Sequence, residues 1–223
     1  MAGEGRVRLV VLVLGLALAA CAPAKPDPMA LGKRIYAENC ASCHGADLEG
    51  SRAHHAPNLK DGIWLIASDN LDAPYGVLHP ADIAYTVRYG IHAEHPGSRN
   101  PARMPALGER LTEAEMSDVA EFVVQFRGAK VDAAKAERGQ VIYDDEGECF
   151  DCHGWKGMGD GAIGSTDFTR DLWLWGGDRA SIVESIRNGR VGVCPGFQDK
   201  LGDDAVEAVA RYVLSRNASP GPK

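Results

Sequence analysis

The sequence predicts an all-α protein made of two copies of one small helical unit, and three observations predict it. The string C-x-x-C-H occurs twice, at Cys40-Ala41-Ser42-Cys43-His44 and at Cys149-Phe150-Asp151-Cys152-His153. The residues around the two strings match in order along the chain. Each half then closes on an amphipathic run with a helix-start signal ahead of it. Thr112 and Glu115 form a capping-box pattern before the apolar run to Phe126. Asp203 or Asp204 is the expected cap of the run from Ala205 to Leu214.

The repeat defines the elements one by one. Gly32-Lys33-Arg34-Ile35-Tyr36 precedes the first string and Gly139-Gln140-Val141-Ile142-Tyr143 the second. Trp64 follows Cys40 by 24 residues, and Trp173 follows Cys149 by 24. Ile83 to Gly90 then parallels Ile182 to Gly189. The first half carries insertions at about Ser68–Pro80 and His92–Arg103. These matches place one unit at 29–127 and a second at 136–217, with a short, partly helical linker at 128–135 and a tail at 218–223.

The C-x-x-C-H string has a chemical reading. Two thiols one helical turn apart can form thioethers to both vinyl groups of one haem, and the next residue supplies the proximal imidazole. Cys40, Cys43 and His44 would hold one haem c, and Cys149, Cys152 and His153 a second. A four-cysteine zinc site or a thioredoxin-like pair explains neither the histidine after each pair nor the repeat around them. Halves of about 90–100 residues are small for self-sufficient cores, and covalent haem supplies apolar bulk.

Six cysteines leave two over, Cys21 and Cys194. Arg6 and Arg8 precede an apolar run, Leu9 to Ala20, that is too short for a bilayer-spanning helix. Residues 1–20 therefore read as an export signal. Leu18-Ala19-Ala20-Cys21 resembles a bacterial lipobox, which implies cleavage before Cys21 and lipidation of its thiol. Ordinary signal cleavage and an uncleaved anchor are the alternatives. Ala22 lacks the aspartate that retains lipoproteins in the inner membrane, which favours the outer one. Residues 21–28, rich in proline, read as a tether. The formal net charge of −7 argues against nucleic acid and favours a basic docking partner or a local patch.

Motifs and order together resemble class I cytochromes c, so the fold expected is two tandem class I cytochrome c domains, each wrapped around one covalent haem. In that family a glycine of the first helix meets an aromatic residue of the last. Gly32 with Phe122 and Gly139 with Tyr212 resemble that crossing. The family also brings a sixth iron ligand from a loop before the last helix. Arg103-Met104-Pro105 fits that position in the first half. Met29, Met116 and Met158 compete less well, and His54, His55, His79, His92 and His95 are further competitors. Pro57 is expected to orient His44 through a carbonyl, with Thr166 as its counterpart for His153. In the second half the aligned residue is Cys194, in Val193-Cys194-Pro195. The expectation is therefore His44/Met104 at the first haem and His153/Cys194 at the second. A buried thiol beside a five-coordinate iron, or an intermolecular disulfide, are the alternatives for Cys194.

Trp173-Leu174-Trp175-Gly176-Gly177 and Ile186 to Val193 resemble the di-haem subunit III of cbb3-type cytochrome c oxidases. The resemblance implies electron transfer between redox protein partners. The lipobox in place of a transmembrane anchor and Cys194 in place of a methionine depart from it, so a relative with a different circuit is expected. Arg88, Arg187 and Arg190 are candidates to pair with haem propionates, and Trp64 and Trp173 to pack on them or hydrogen-bond near them. Catalysis on a sulfur compound, as in thiosulfate dehydrogenases, and ligand-exchange sensing are the rival functions. The expected location is the periplasmic side of a bacterial membrane.

Overall fold

A computed structural model describes residues 27–62, 64, 79–145, 147–170 and 173–217. The leader, Cys21 and the tether up to Pro26 lie outside the described residues, as do the tail and most of the first insertion. Eight helices account for the regular structure among the described residues: α1 (Pro28–Asn39), α2 (Ala41–His44), α3 (Pro80–Tyr89), α4 (Glu113–Gln125), α5 (Ala133–Asp144), α6 (Cys149–His153), α7 (Arg179–Asn188) and α8 (Asp203–Arg216). None is long and apolar enough to cross a membrane.

Local chemistry sets the helix ends. The Asp27 carboxylate accepts from the Met29 amide, so α1 starts at Pro28, one residue inside the expected tether, and Met29 lies within the helix. Thr112 and Glu115 close the expected capping box of α4. At α8 the cap is Gly202, which has no side chain to offer, and Asp203 and Asp204 sit in the first turn instead. There they face the positive end of the helix dipole. Helices α3 and α7 both stop at a glycine in the left-handed region, Gly90 (φ 78°) and Gly189 (φ 67°).

The helices pair across the halves of the sequence. Helix α1 packs on α8, and α4 packs on α5; α3 lies against α8, and α7 against α4. One core therefore gathers Ile35, Tyr36, Leu48 and Ile83 with Val206, Val209 and Val213. The other gathers Met116, Val119 and Val123 with Ile142, Tyr143, Ile182 and Ile186. Seven residues separate α4 from α5, and so short a connection makes consecutive helices antiparallel neighbours. That connection draws the last helix of the first half onto the second half. The last helix of the chain fills the place left on α1. The halves thus exchange their final helices: α4 packs with the second half and α8 with the first.

The exchange also corrects the glycine crossings. A β-carbon on Gly32 would lie 2.1 Å from the Ala208 carbonyl oxygen and 2.7 Å from Cβ of Tyr212, not against Phe122. On Gly139 it would lie 1.9 Å from the Asp118 carbonyl oxygen, and there Phe122 meets Tyr143 at 5.1 Å between ring centroids. Tyr36 meets Tyr212 at 5.7 Å in the same way.

Candidate haem sites

The C-x-x-C-H strings sit on the one-turn helices α2 and α6, each reached from a longer helix, α1 or α5. The tyrosine of that longer helix fixes the turn that follows. Tyr36 donates to the Gly45 carbonyl at 2.7 Å, and Tyr143 to that of Gly154 at 2.8 Å. Both tyrosine hydroxyls are buried, which raises their pKa. Among the described residues the cysteines form no disulfide. Burial raises the Cys40 and Cys149 thiols to about 11.

Each histidine is held from behind. Nδ1 of His44 lies 3.0 Å from the Pro57 carbonyl oxygen, and Nδ1 of His153 lies 3.1 Å from that of Thr166. A carbonyl can only accept, so Nδ1 carries the proton and Nε2 keeps a free lone pair. Burial lowers the pKa of both rings, which keeps them neutral as a metal ligand requires. His153 also stacks on Phe168 at 4.3 Å, and Phe168 stacks on Trp173 at 5.3 Å.

The sulfur loops follow the exchanged helices. Met104 pairs its backbone with Arg190 in both directions, N to O at 3.0 and 3.1 Å, and its side chain packs against the same core as Cys149, Phe168 and Trp173. Cys194 pairs its backbone with Ile91, at 2.8 and 3.0 Å. Its thiol lies close enough to Cys43 and Cys40 to interact with them electrostatically. Burial raises the Cys194 thiol to about 11, with Cys43 adding to the effect. The glycines that end α3 and α7 seat these loops, because a β-carbon on Gly90 would lie 2.4 Å from the Cys194 carbonyl oxygen and one on Gly189 2.5 Å from that of Met104. Met104 thus packs against the same core as Cys149, and Cys194 lies near Cys40 and Cys43.

These residues fit haem. Besides two unpaired thiols, a neutral imidazole and a sulfur loop at each site, Nε1 of Trp64 and of Trp173 are buried without a hydrogen-bond partner among the described residues. A haem carboxylate is an acceptor that such orphaned donors suit. The three candidate arginines each have protein partners. Arg88 reaches Asp203 and Glu207 of α8, both at 3.2 Å, and Arg187 reaches Glu113 of α4 at 2.5 Å. Acidic first turns of the exchanged helices capture both. Arg190 lies over Trp175 at 4.7 Å and donates to Ser185. The position next to Trp173 belongs to Arg127, 5.0 Å above its ring, a residue that nothing in the sequence pattern marked.

The competing ligands are accounted for elsewhere. Met116 is buried within α4, and Met29 and Met158 are exposed. His54 bonds Ser51, His55 stacks on Trp175, and His95 stacks on Tyr89. His79 precedes α3. His92 holds both sulfur loops, with Nδ1 2.8 Å from the Gly192 carbonyl oxygen and Nε2 3.0 Å from that of Pro101.

Known families match both halves. Residues 29–127 match the family described as cytochrome c, and residues 134–213 match cytochrome c oxidase, cbb3-type, subunit III. The chain is 33% identical over 221 residues to the cbb3-type cytochrome c oxidase subunit FixP of Bradyrhizobium diazoefficiens, covering 96% of this chain and 68% of that one. The chain belongs to the CcoP/FixP family.

Other members include subunit CcoP of Azospirillum brasilense, 34% identical over 83% of this chain and 61% of its own length. Subunit FixP of Azorhizobium caulinodans is 37% identical over 82% of this chain and 57% of its own. The chain thus spans about three fifths of the length of these two relatives. Family membership gives two cytochrome c units and two covalently bound haems c. It agrees with the helical fold.

Proposed function

We propose that this CcoP/FixP-family chain is an electron-transfer protein whose two irons have different ligands: His44 with Cys194, and His153 with Met104. The observation that carries the reading is the exchange of the sulfur loops, in which Cys194 pairs with Ile91 and Met104 with Arg190. A thioether is neutral and raises a haem potential, whereas an anionic thiolate favours the ferric state and lowers it. A protein thiol at about 11 is protonated at neutral pH, but coordination to a metal ion removes that proton outright. The Cys40/Cys43 site is then the low-potential centre and the Cys149/Cys152 site the high-potential one. Electrons run downhill from the first to the second.

The donors and acceptors are redox proteins. Two relatives at 57–61% coverage are oxidase subunits by name, and we extend to this chain the role of passing electrons toward a terminal acceptor. Covalent haem attachment outside the cytoplasm and the lipobox-like Leu18 to Cys21 support a periplasmic chain held to a membrane by lipid at Cys21.

EPR and potentiometric titration of the holoprotein test the ligand assignment. Cys194→Met should abolish a thiolate-type low-spin ferric signal and raise one potential only. His44→Ala should abolish that same signal, and His153→Ala should spare it. Loss of the signal in His153→Ala with retention in His44→Ala would restore pairing within each half. Steady-state turnover of thiosulfate, tetrathionate or sulfite at enzymatic rates would overturn the carrier function.

A further inference from the structure

The two haem units meet at a contact that neither haem-binding motif accounts for. His55, from the loop behind His44, stacks on Trp175, from the loop behind His153, with ring centroids 3.7 Å apart and 19° between planes. Nδ1 of His55 also lies 3.2 Å from the Leu174 carbonyl oxygen. The carbonyl can only accept, so this nitrogen donates and the ring is fixed in tilt as well as position. Arg190 lies against the same indole, 4.7 Å from its centre. His55 holds this pose with a left-handed backbone, φ 49°, that a residue with a β-carbon adopts at a cost.

Each partner stands two residues from a group that orients a proximal histidine. Pro57, whose carbonyl accepts from His44, follows His55 by two. Trp173, which stacks on Phe168 and through it on His153, precedes Trp175 by two. The stack therefore joins the two proximal loops directly, while the exchanged helices join the rest of the two units.

We propose that the His55–Trp175 stack is the positioning contact that sets the spacing and mutual orientation of the two haem sites, and so the rate at which one electron leaves one iron and arrives at the other. The proposal rests on the two-haem electron-transfer function above. His55 bonds the Leu174 carbonyl and Trp175 carries Arg190, so the contact acts on the transfer between sites and not on the chemistry of either.

Pulse radiolysis of the full-length, fully oxidised holoprotein tests this, following redistribution of the first electron between the haems. The double variant His55→Ala with Trp175→Leu should redistribute about tenfold more slowly, because rates answer steeply to small misplacements of reacting groups. His55→Phe and Trp175→Tyr, which keep stacked rings, should stay near the wild-type rate. The absorption spectrum, the EPR signals and both midpoint potentials should be unchanged in all of them. Wild-type redistribution in the double variant overturns the proposal, as does slower redistribution accompanied by a shifted potential. No redistribution in the wild type would overturn the two-haem function itself. Should the double variant fail to assemble, His55→Ala alone carries the same comparison.

Discussion

Gly32 lies directly against the carbonyl of Ala208, so the first and last helices of the chain touch backbone to backbone. The equivalent contact joins Gly139 to Asp118. In an unobstructed helix, alanine would be favoured over glycine by about 1 kcal/mol. Here a β-carbon would lie 2.1 or 1.9 Å from a main-chain oxygen, which cannot move without moving its helix. Overpacking of this kind costs about 1–3 kcal/mol and more when backbone must shift. Gly32→Ala and Gly139→Ala should each lower the denaturant midpoint of the holoprotein. An unchanged or raised midpoint would show that the helices separate freely.

The exchange of α4 and α8 makes each haem unit depend on both halves. Helix α4 completes the unit of α5, α6 and α7, and α8 completes that of α1, α2 and α3. Unfolding one unit therefore strips a helix from the segment that builds the other. Calorimetry of the holoprotein should give one cooperative transition whose calorimetric and van't Hoff enthalpies agree. Two resolved transitions would mean that the units unfold as independent domains.

Much of this was legible in the sequence. The two C-x-x-C-H turns, the Pro57 and Thr166 carbonyls behind their histidines and the capping box at Thr112 follow from motif and spacing. The partners were not. The two units are near copies, so Gly32 faces an aromatic side chain whether it meets Phe122 or Tyr212, and either helix satisfies the crossing. Pattern within one unit cannot break that degeneracy; the short linker does, by holding α4 beside α5. The protein partners of the arginines were illegible for a related reason. Arg88 and Arg187 end α3 and α7, and which carboxylates they meet depends on which helix arrives. His55 and Trp175 lie on loops with no periodicity, so only three-dimensional placement reveals their stack.

Asp118 is buried, 6% exposed, and receives both Nε and Nη2 of Arg138 at 2.6 and 3.0 Å. This fork fastens α5 to the exchanged helix α4. Exposed ion pairs contribute little, but removing the partner of a buried carboxylate leaves its desolvation uncompensated. Arg138→Ala should lower the urea midpoint of the holoprotein. Asp118→Asn with Arg138→Ala should recover part of that loss, measured as a double-mutant cycle in urea. Additive losses would show that the two groups do not act together.

Acid should loosen the same seams. Hydrogen bonds from Arg187 hold the Glu113 carboxyl below its ordinary value of 4.5, and those from Lys60 and Arg216 hold Asp47 below 3.8. The hydroxyl and amide of Ser181 lower Asp178, and the amide and hydroxyl of Thr112 lower Glu115. A carboxyl with a lowered folded-state pKa stabilises above its unfolded value, and that stability is lost as pH falls through the folded one. The share of stability that these carboxylates contribute should thus be level from neutral pH to about 5 and decline below it. Glu113 to Arg187 and Asp47 to Arg216 each join segments from opposite halves, so the decline should be shallower in Glu113→Gln. Because these carboxylates are exposed, added salt should flatten the curve further. Thermal melts followed by helical circular dichroism between pH about 7 and about 3 decide this, since a decline below pH about 5 that is the same in Glu113→Gln would show that this ion pair does not contribute.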